Sequence, residues 1–101
     1  METAKCPYFE EGVDIISQRW VALIVYNLLD GSKRFNQLEE SIGISASVLS
    51  ERLKFLEKKS ILKRVVYPET PVRIEYELTD MGVALGPVFD SLMTWSDEYI
   101  K

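Results

Sequence analysis

The 101-residue sequence contains no histidine and a single cysteine, Cys6. Without histidine there is no Ser-His-Asp triad, no Cys-His dyad and no His-ligated metal site. One thiol excludes a disulfide within the chain and an all-cysteine zinc site, and such sparse use of cysteine points to a reducing compartment. Long apolar runs are missing as well. The longest, Trp20 to Tyr26, falls far short of the roughly 20 residues that a membrane span needs. The start, Met1-Glu2-Thr3-Ala4-Lys5, lacks the apolar stretch of a secretory signal. There is no internal repeat, low-complexity tract or linker. The expectation is a soluble cytoplasmic protein with no membrane partner, no catalytic residues, no metal and no cofactor.

The length allows one domain, residues 1–101, with a core that many folds of this size complete by dimerising. Hydrophobic residues make up 47% and aromatics 11%, which excludes a disordered tail. The net charge of −4 argues against a protein that coats nucleic acid generically. The charge is unevenly spread, however. Residues 32–73 carry nine basic and five acidic residues, a net of +4, and the rest carries three basic and eleven acidic, a net of −8. A basic middle between acidic ends is either a face for a polyanion or a chance excess on a solvated surface.

Periodicity then orders the elements. A short helix spans about 8–17, with Val13, Ile15 and Ile16 apolar. A second, about 18–29, is apolar on several faces and ends at Asp30-Gly31. Ser32 to Phe35 reads as a short strand. Asn36, three residues before Glu39, predicts a capping box and a helix through Ser41. Gly43 breaks it, and Ser45 caps the next helix, which runs to about Lys59 on a Leu49, Leu53, Leu56 stripe. The period then changes to two: Leu62 to Tyr67 and Val72 to Leu78 form a hairpin around Pro68 to Pro71. Thr79-Asp80 caps a last helix whose stripe is Leu85, Val88, Phe89, Leu92, Trp95 and Tyr99, with Pro87 kinking it or shifting its start.

The fold class is therefore mainly α with a small β-hairpin wing (α+β): a winged helix-turn-helix with further helices at its N- and C-terminal ends. The helix after the turn suits a DNA major groove, with its first turns at base edges and flanking groups on phosphates. Candidate DNA-binding residues are Lys33, Arg34, Ser45, Ser47, Val48, Ser50, Arg52, Lys54 and Arg73. Serine hydroxyls and the Val48 methyls can meet base edges, and the cations suit phosphate. Each also has an ordinary role: Ser45 as a cap, Arg52 as a partner of Glu51 or Glu57, lysines as solvated charge.

These stretches, taken in order, resemble the HxlR-type winged helix-turn-helix regulators, a family with a MarR-like DNA-binding fold. The matching pieces are Cys6-Pro7, Arg19-Trp20, Leu28-Leu29-Asp30-Gly31, Arg34-Phe35-Asn36-Gln37-Leu38 and Gly43-Ile44-Ser45. Val48 to Leu53, Arg64 to Glu69, Pro71 to Tyr76, and Leu78-Thr79 with Gly82 follow. The resemblance covers nearly the whole chain. It implies a homodimeric transcription regulator, a repressor among the possibilities, on double-stranded DNA with an inverted repeat. The recognition helix would span about 45–58 and the wing about 65–74. The outer helices would build the dimer through Val13, Leu85, Val88, Phe89, Leu92, Trp95 and Tyr99. Two departures stand out: Ser17-Gln18 where two glycines are frequent, and Ser47 where Lys or Arg is frequent.

The resemblance also implies a redox or electrophile sensor at Cys6, because several members use a cysteine near the N-terminus. The residue itself leaves two roles open, a reactive thiolate or a small side chain packed at the dimer. Trp20, Phe89, Trp95 and Tyr99 either line a ligand pocket between subunits or, as their helical spacing favours, serve the core and interface. A thiol enzyme is disfavoured because no general base is at hand. The alternative to a DNA reader is a winged-helix module that binds protein, consistent with the net negative charge and Ser47.

Overall fold

The computed structural model describes residues 7–101. Its elements are α1 (Phe9–Ile16), α2 (Val21–Leu28), α3 (Phe35–Ile42), α4 (Ala46–Lys58), β1 (Leu62–Tyr67), β2 (Arg73–Leu78), α5 (Asp80–Val83) and α6 (Gly86–Tyr99). The hairpin and the helices fall in the expected order, with three corrections to the helices and the loss of the expected strand at 32–35. Helix α2 starts at Val21 rather than near Gln18. Trp20 precedes it with φ 79°, in the left-handed region, so the chain turns between α1 and α2 instead of running on. A bulky residue there is strained and persists only where its surroundings hold it. Trp20 packs against the core, and the Arg19 guanidinium lies 4.8 Å over its ring.

The second correction is the start of α3. Arg34, not Asn36, is the cap residue, and the Gln37 carboxamide oxygen accepts its backbone N–H at 2.8 Å. Arginine has no acceptor to return the bond, so only half of a capping box forms. Gly43 ends α3 with φ 74°, a conformation that glycine adopts without a Cβ penalty. Ser45 then caps α4, its hydroxyl accepting the Val48 N–H at 3.4 Å.

The third is the last helix, which divides. Thr79 caps the single turn of α5. Pro87 occupies the first turn of α6, where its missing N–H costs nothing, so it shifts the start and makes no kink.

The hairpin is antiparallel, with Leu62 opposite Leu78 and Tyr67 opposite Arg73. The expected strand at 32–35 is reduced to one residue: Lys33 exchanges both backbone hydrogen bonds with Tyr76, at 3.0 and 2.8 Å. Every residue of β2 is half-buried. The expected alternation of covered and open faces is lost because the charged face is covered by its own ion pairs.

The core gathers Ile15, Val21, Ile24, Val25, Leu28, Leu38, Ile44, Leu49, Leu53, Leu56, Ile61, Leu62 and Phe89. It lies among α2, α3, α4 and the base of the hairpin. The radius of gyration is 15.0 Å, above the about 13 Å of a compact chain of this length. Helix α6 buries only Gly86 and Phe89, and α1 only Ile15. No helix among the described residues is long and apolar enough to cross a membrane.

Candidate nucleic-acid interface

Helix α4 has two faces. Leu49, Leu53 and Leu56 are buried in the core. Ser47, Glu51, Lys54 and Lys58 stand exposed on the opposite stripe, at the spacing of one helix face. The candidates divide accordingly. Ser47 and Lys54 lie on the open stripe, Val48 and Ser50 are half-buried beside it, and the Ser45 hydroxyl is engaged in the cap. Arg52 is turned away. Its Nε donates to the Arg19 carbonyl at 2.9 Å, pinning α4 to the turn that Trp20 forms. Arg52 is thus a brace of α4, with only a 3.9 Å contact to Glu51 besides.

The cations of the basic middle also divide. Lys33 is tied down, its Nζ 2.6 Å from Asp30 Oδ1 and 3.0 Å from the Asn27 carbonyl. This contact holds the Asp30 carboxyl below its ordinary range, first by hydrogen bonding and then by charge. Arg73 is tied down more firmly. Its Nε and Nη2 reach the Glu69 carboxylate at 3.2 and 2.8 Å, its Nη1 donates to Glu75, and the guanidinium lies 3.8 Å over the Tyr67 ring. Glu69 is held below the ordinary carboxylate range by Arg73, and Glu75 by the Ser32 hydroxyl and then Arg73, while the arginine is pushed up.

Among the described residues, Arg34, Lys54, Lys58, Lys59 and Arg64 are exposed and make no ion pair. Lys58 and Lys59 contribute to the basic middle but have no motif to single them out, and Arg64 opens a family-like stretch that does not by itself mark it as a contact. Glu51 has a different obscurity in the sequence, where its place beside Arg52 suggests only an ion pair. Standing open between Ser47 and Lys54, it can accept a hydrogen bond from a cytosine amino group.

The outer helices carry a separate, apolar surface. Val13, Val88, Leu92, Trp95 and Tyr99 are 40–70% exposed, Leu85 is half-buried, and Phe9 is exposed beside them. A groove of about 240 Å³ between α1 and α6 is lined by Phe9, Gly12, Val13, Ile16, Leu85 and Val88. Phe89 does not belong to this surface. It is 4% exposed and packs into its own protomer's core, so it is corrected from interface to core. The four aromatics do not come together: Trp20 and Phe89 pack on the core, and Trp95 and Tyr99 are open at the end of α6, their ring centroids 6.3 Å apart. Cys6 lies outside the described residues. Among those described, no group of three acidic or thiol side chains could hold a metal.

Comparison with known proteins agrees with this geometry. The chain is 54% identical to the HTH-type transcriptional regulator YvaP of Bacillus subtilis (strain 168), over 98% of this chain and 93% of that protein. It is 43% identical to YodB of the same organism, another HTH-type transcriptional regulator, over 100% of this chain and 91% of the other. The structure of reduced YodB superposes with a TM-score of 0.85 at 44% identity, covering 93% of each chain. The redox regulator HypR in its reduced form gives 0.83 at 32% identity, covering 88% of this chain and 89% of the other. The model of the HxlR-like helix-turn-helix family matches residues 15–101, the stretch that holds the helix-turn-helix, the wing and α6. The chain belongs to this family of winged-helix, DNA-binding transcriptional regulators, which are not enzymes.

Proposed function

We propose that the protein works as a homodimer that sets α4 of each subunit in the major groove of an inverted repeat, with the wing on the adjoining backbone or minor groove. The observation that carries this reading is the open stripe Ser47, Glu51, Lys54 and Lys58, which the protomer leaves uncovered. A helix fits a major groove, and its outward side chains then face base edges. Arg34 and Arg64, exposed and free of ion pairs, suit flanking phosphates. Lys33, Arg52 and Arg73 are committed within the free protein and give less there than their charge alone implies.

The dimer forms through α1 and α6. Their exposed apolar residues, Val13, Val88, Leu92, Trp95 and Tyr99, make a face larger than scattered exposure accounts for, and Leu85 borders it. Two recognition helices related by a two-fold axis then read half-sites about 34 Å apart. Bound across a promoter, such a dimer acts as a repressor by excluding polymerase.

Cys6 is the sensor. YodB has been solved reduced, diamide-treated and quinone-bound, and HypR reduced and oxidised. Cys6 precedes Phe9, the first residue of α1, by three positions, so a modification there adjoins the dimerisation helix. With one cysteine per chain, oxidation ends in a disulfide between subunits or with a small thiol. The cytoplasm, with its reducing poise, is the fitting compartment.

Selection of duplexes from random DNA by the reduced protein tests the reading. The expected result is an enriched inverted repeat bound by a dimer, with affinity that falls steeply as salt rises. Diamide should change that affinity in the native protein and not in Cys6→Ser. Failure to enrich any sequence, with weak binding even at low salt, would instead make the protein-binding module the better account. An unchanged diamide response in Cys6→Ser would remove the sensor role alone.

A further inference from the structure

We infer that the cavity between the wing tip and the start of α3 is the seat of one DNA phosphate, which the Glu69 carboxylate occupies in the free protein. The cavity measures about 230 Å³ and is lined by Arg34, Glu69, Thr70, Pro71, Val72 and Arg73, with Ile74 at its edge. This rests on the DNA-reading function above and assigns it a contact.

Three observations converge. First, Glu69 meets Arg73 through two parallel bonds, Nε–Oε1 at 3.2 Å and Nη2–Oε2 at 2.8 Å. That is the forked contact a guanidinium makes equally well with phosphate. Second, the two acidic partners of Arg73 are held very differently. The Glu75 side chain is 18% exposed, and its other oxygen accepts from Ser32 Oγ at 2.8 Å. The Glu69 side chain is 52% exposed and lies in the turn between the strands, with no other bond. Glu69 can therefore swing out while Glu75 stays. Third, the Tyr67 ring supports the guanidinium from beneath, so Arg73 remains aimed at the vacated position. Arg34, exposed and unpaired on the opposite wall, supplies a second cation.

The exchange has a thermodynamic signature. When phosphate displaces Glu69, the phosphate sheds a counterion but the freed carboxylate gathers one. The wing contact then adds nothing to net ion release. Removing the carboxylate restores that release.

The test measures affinity for a mixed-sequence duplex over a range of salt, in the native protein, Glu69→Gln, Arg73→Ala, the double variant and Lys54→Ala. Glu69→Gln should bind roughly three- to tenfold tighter at low salt. Its log–log salt slope should steepen by about 0.9, one phosphate's share. The double variant should bind no better than Arg73→Ala, because the gain passes through that arginine. Inorganic phosphate at constant ionic strength should leave the gain intact, and its loss would reassign the cavity to free anions. Glu69→Gln binding no tighter than the native protein would overturn the inference while salt-dependent binding weakened by Lys54→Ala keeps the DNA reading. If the native protein shows no salt-dependent binding at all, both fall.

Discussion

Gly82 sits in α5 where the chain leaves the hairpin and turns towards α6, and replacing it by alanine should be costly out of proportion to one methyl group. An ideal Cβ there would stand 2.2 Å from the Ile61 carbonyl oxygen and 3.0 and 3.1 Å from Leu78 Cδ2 and Cβ. Carbon and oxygen settle at about 3.3–3.6 Å even in the closest favourable contacts, so α5 must retreat by about 1 Å. It cannot do so freely. The Ile61 carbonyl accepts from the Thr79 N–H at 3.0 Å, the Thr79 hydroxyl donates to the Ser60 carbonyl at 2.5 Å with the Ile61 oxygen 3.1 Å away, and the same hydroxyl accepts the Gly82 N–H at 3.3 Å. Overpacking of this kind costs about 1–3 kcal/mol, and each bond pulled out of geometry adds about 1 kcal/mol. A loss of about 3 kcal/mol follows, equivalent to about 12–24 °C in Tm for a domain of this size. Thermal unfolding followed by circular dichroism, at one fixed protein concentration because self-association would shift Tm, measures it directly. A Gly82→Ala protein melting within a few degrees of the native one would refute the steric reasoning.

Other predictions are equally concrete. Lys54→Ala and Arg64→Ala should each flatten the salt dependence of DNA binding by about 0.9 in log–log slope, whereas Lys33→Ala should not, because Asp30 and the Asn27 carbonyl hold that ammonium; filter or anisotropy titrations at several salt concentrations separate them. Phe89→Ala should lower unfolding stability by about 3–5 kcal/mol, while Trp95→Ala should act mainly on the monomer–dimer equilibrium seen by sedimentation, and the reverse pattern would undo the correction of Phe89 to core. Glu69 and Glu75 should titrate by NMR below the ordinary 4.5. Because their folded values are depressed, the stability they lend the wing is complete above 4.5 and is lost as pH falls through the folded values; midpoints at or above 4.5 would contradict the clamp.

What the sequence disclosed was local. Leu49, Leu53 and Leu56 lie at helical spacing and are buried together, and Ser45, Gly43 and Thr79 cap or end their helices as their chemistry predicts. The two-residue period of Ile74, Tyr76 and Leu78 marked the second strand. Contacts that join distant residues left no such trace. Arg52 and Arg19 are thirty-three positions apart, and nothing in either neighbourhood announces that one will brace the other's carbonyl. Arg73, Glu69 and Glu75 are close in sequence, yet only the hairpin register brings both carboxylates and the Tyr67 ring onto one guanidinium. Phe89, Leu92 and Trp95 share a stripe, which establishes that they face one way. It does not distinguish a side chain covered by its own α2 from one that awaits a partner. Asn36 has the right spacing to Glu39 for a cap, yet Gln37, reaching back to the Arg34 N–H, does the capping instead.

The uneven charge acquires a use once the elements are placed. Helices α1 and α6 carry Glu10, Glu11, Asp14, Asp90, Asp97 and Glu98 and no basic residue. Among the described residues, the exposed cations without an ion pair are Arg34 before α3, Lys54 and Lys58 on α4, Lys59 just after it, Arg64 on β1, and Arg19, whose guanidinium lies over the Trp20 ring. A dimer formed through α1 and α6 therefore brings acid to its centre and leaves base at its two outer ends. In the proposed complex this arrangement would repel DNA from the dimer surface and attract it to α4, steering approach as well as binding. It also sets two equilibria against each other. In such a dimer the apolar contacts of Val88, Leu92 and Trp95 would oppose carboxylate repulsion between subunits, and salt would weaken only the repulsion. The screening length falls from about 30 Å at 0.01 M salt to about 3 Å at 1 M. Dimerisation should therefore strengthen across the same range over which DNA binding weakens. Sedimentation equilibrium at several salt concentrations decides the point: a dimer that loosens as salt rises would mean that ion pairs, not the apolar face of α1 and α6, hold the subunits together.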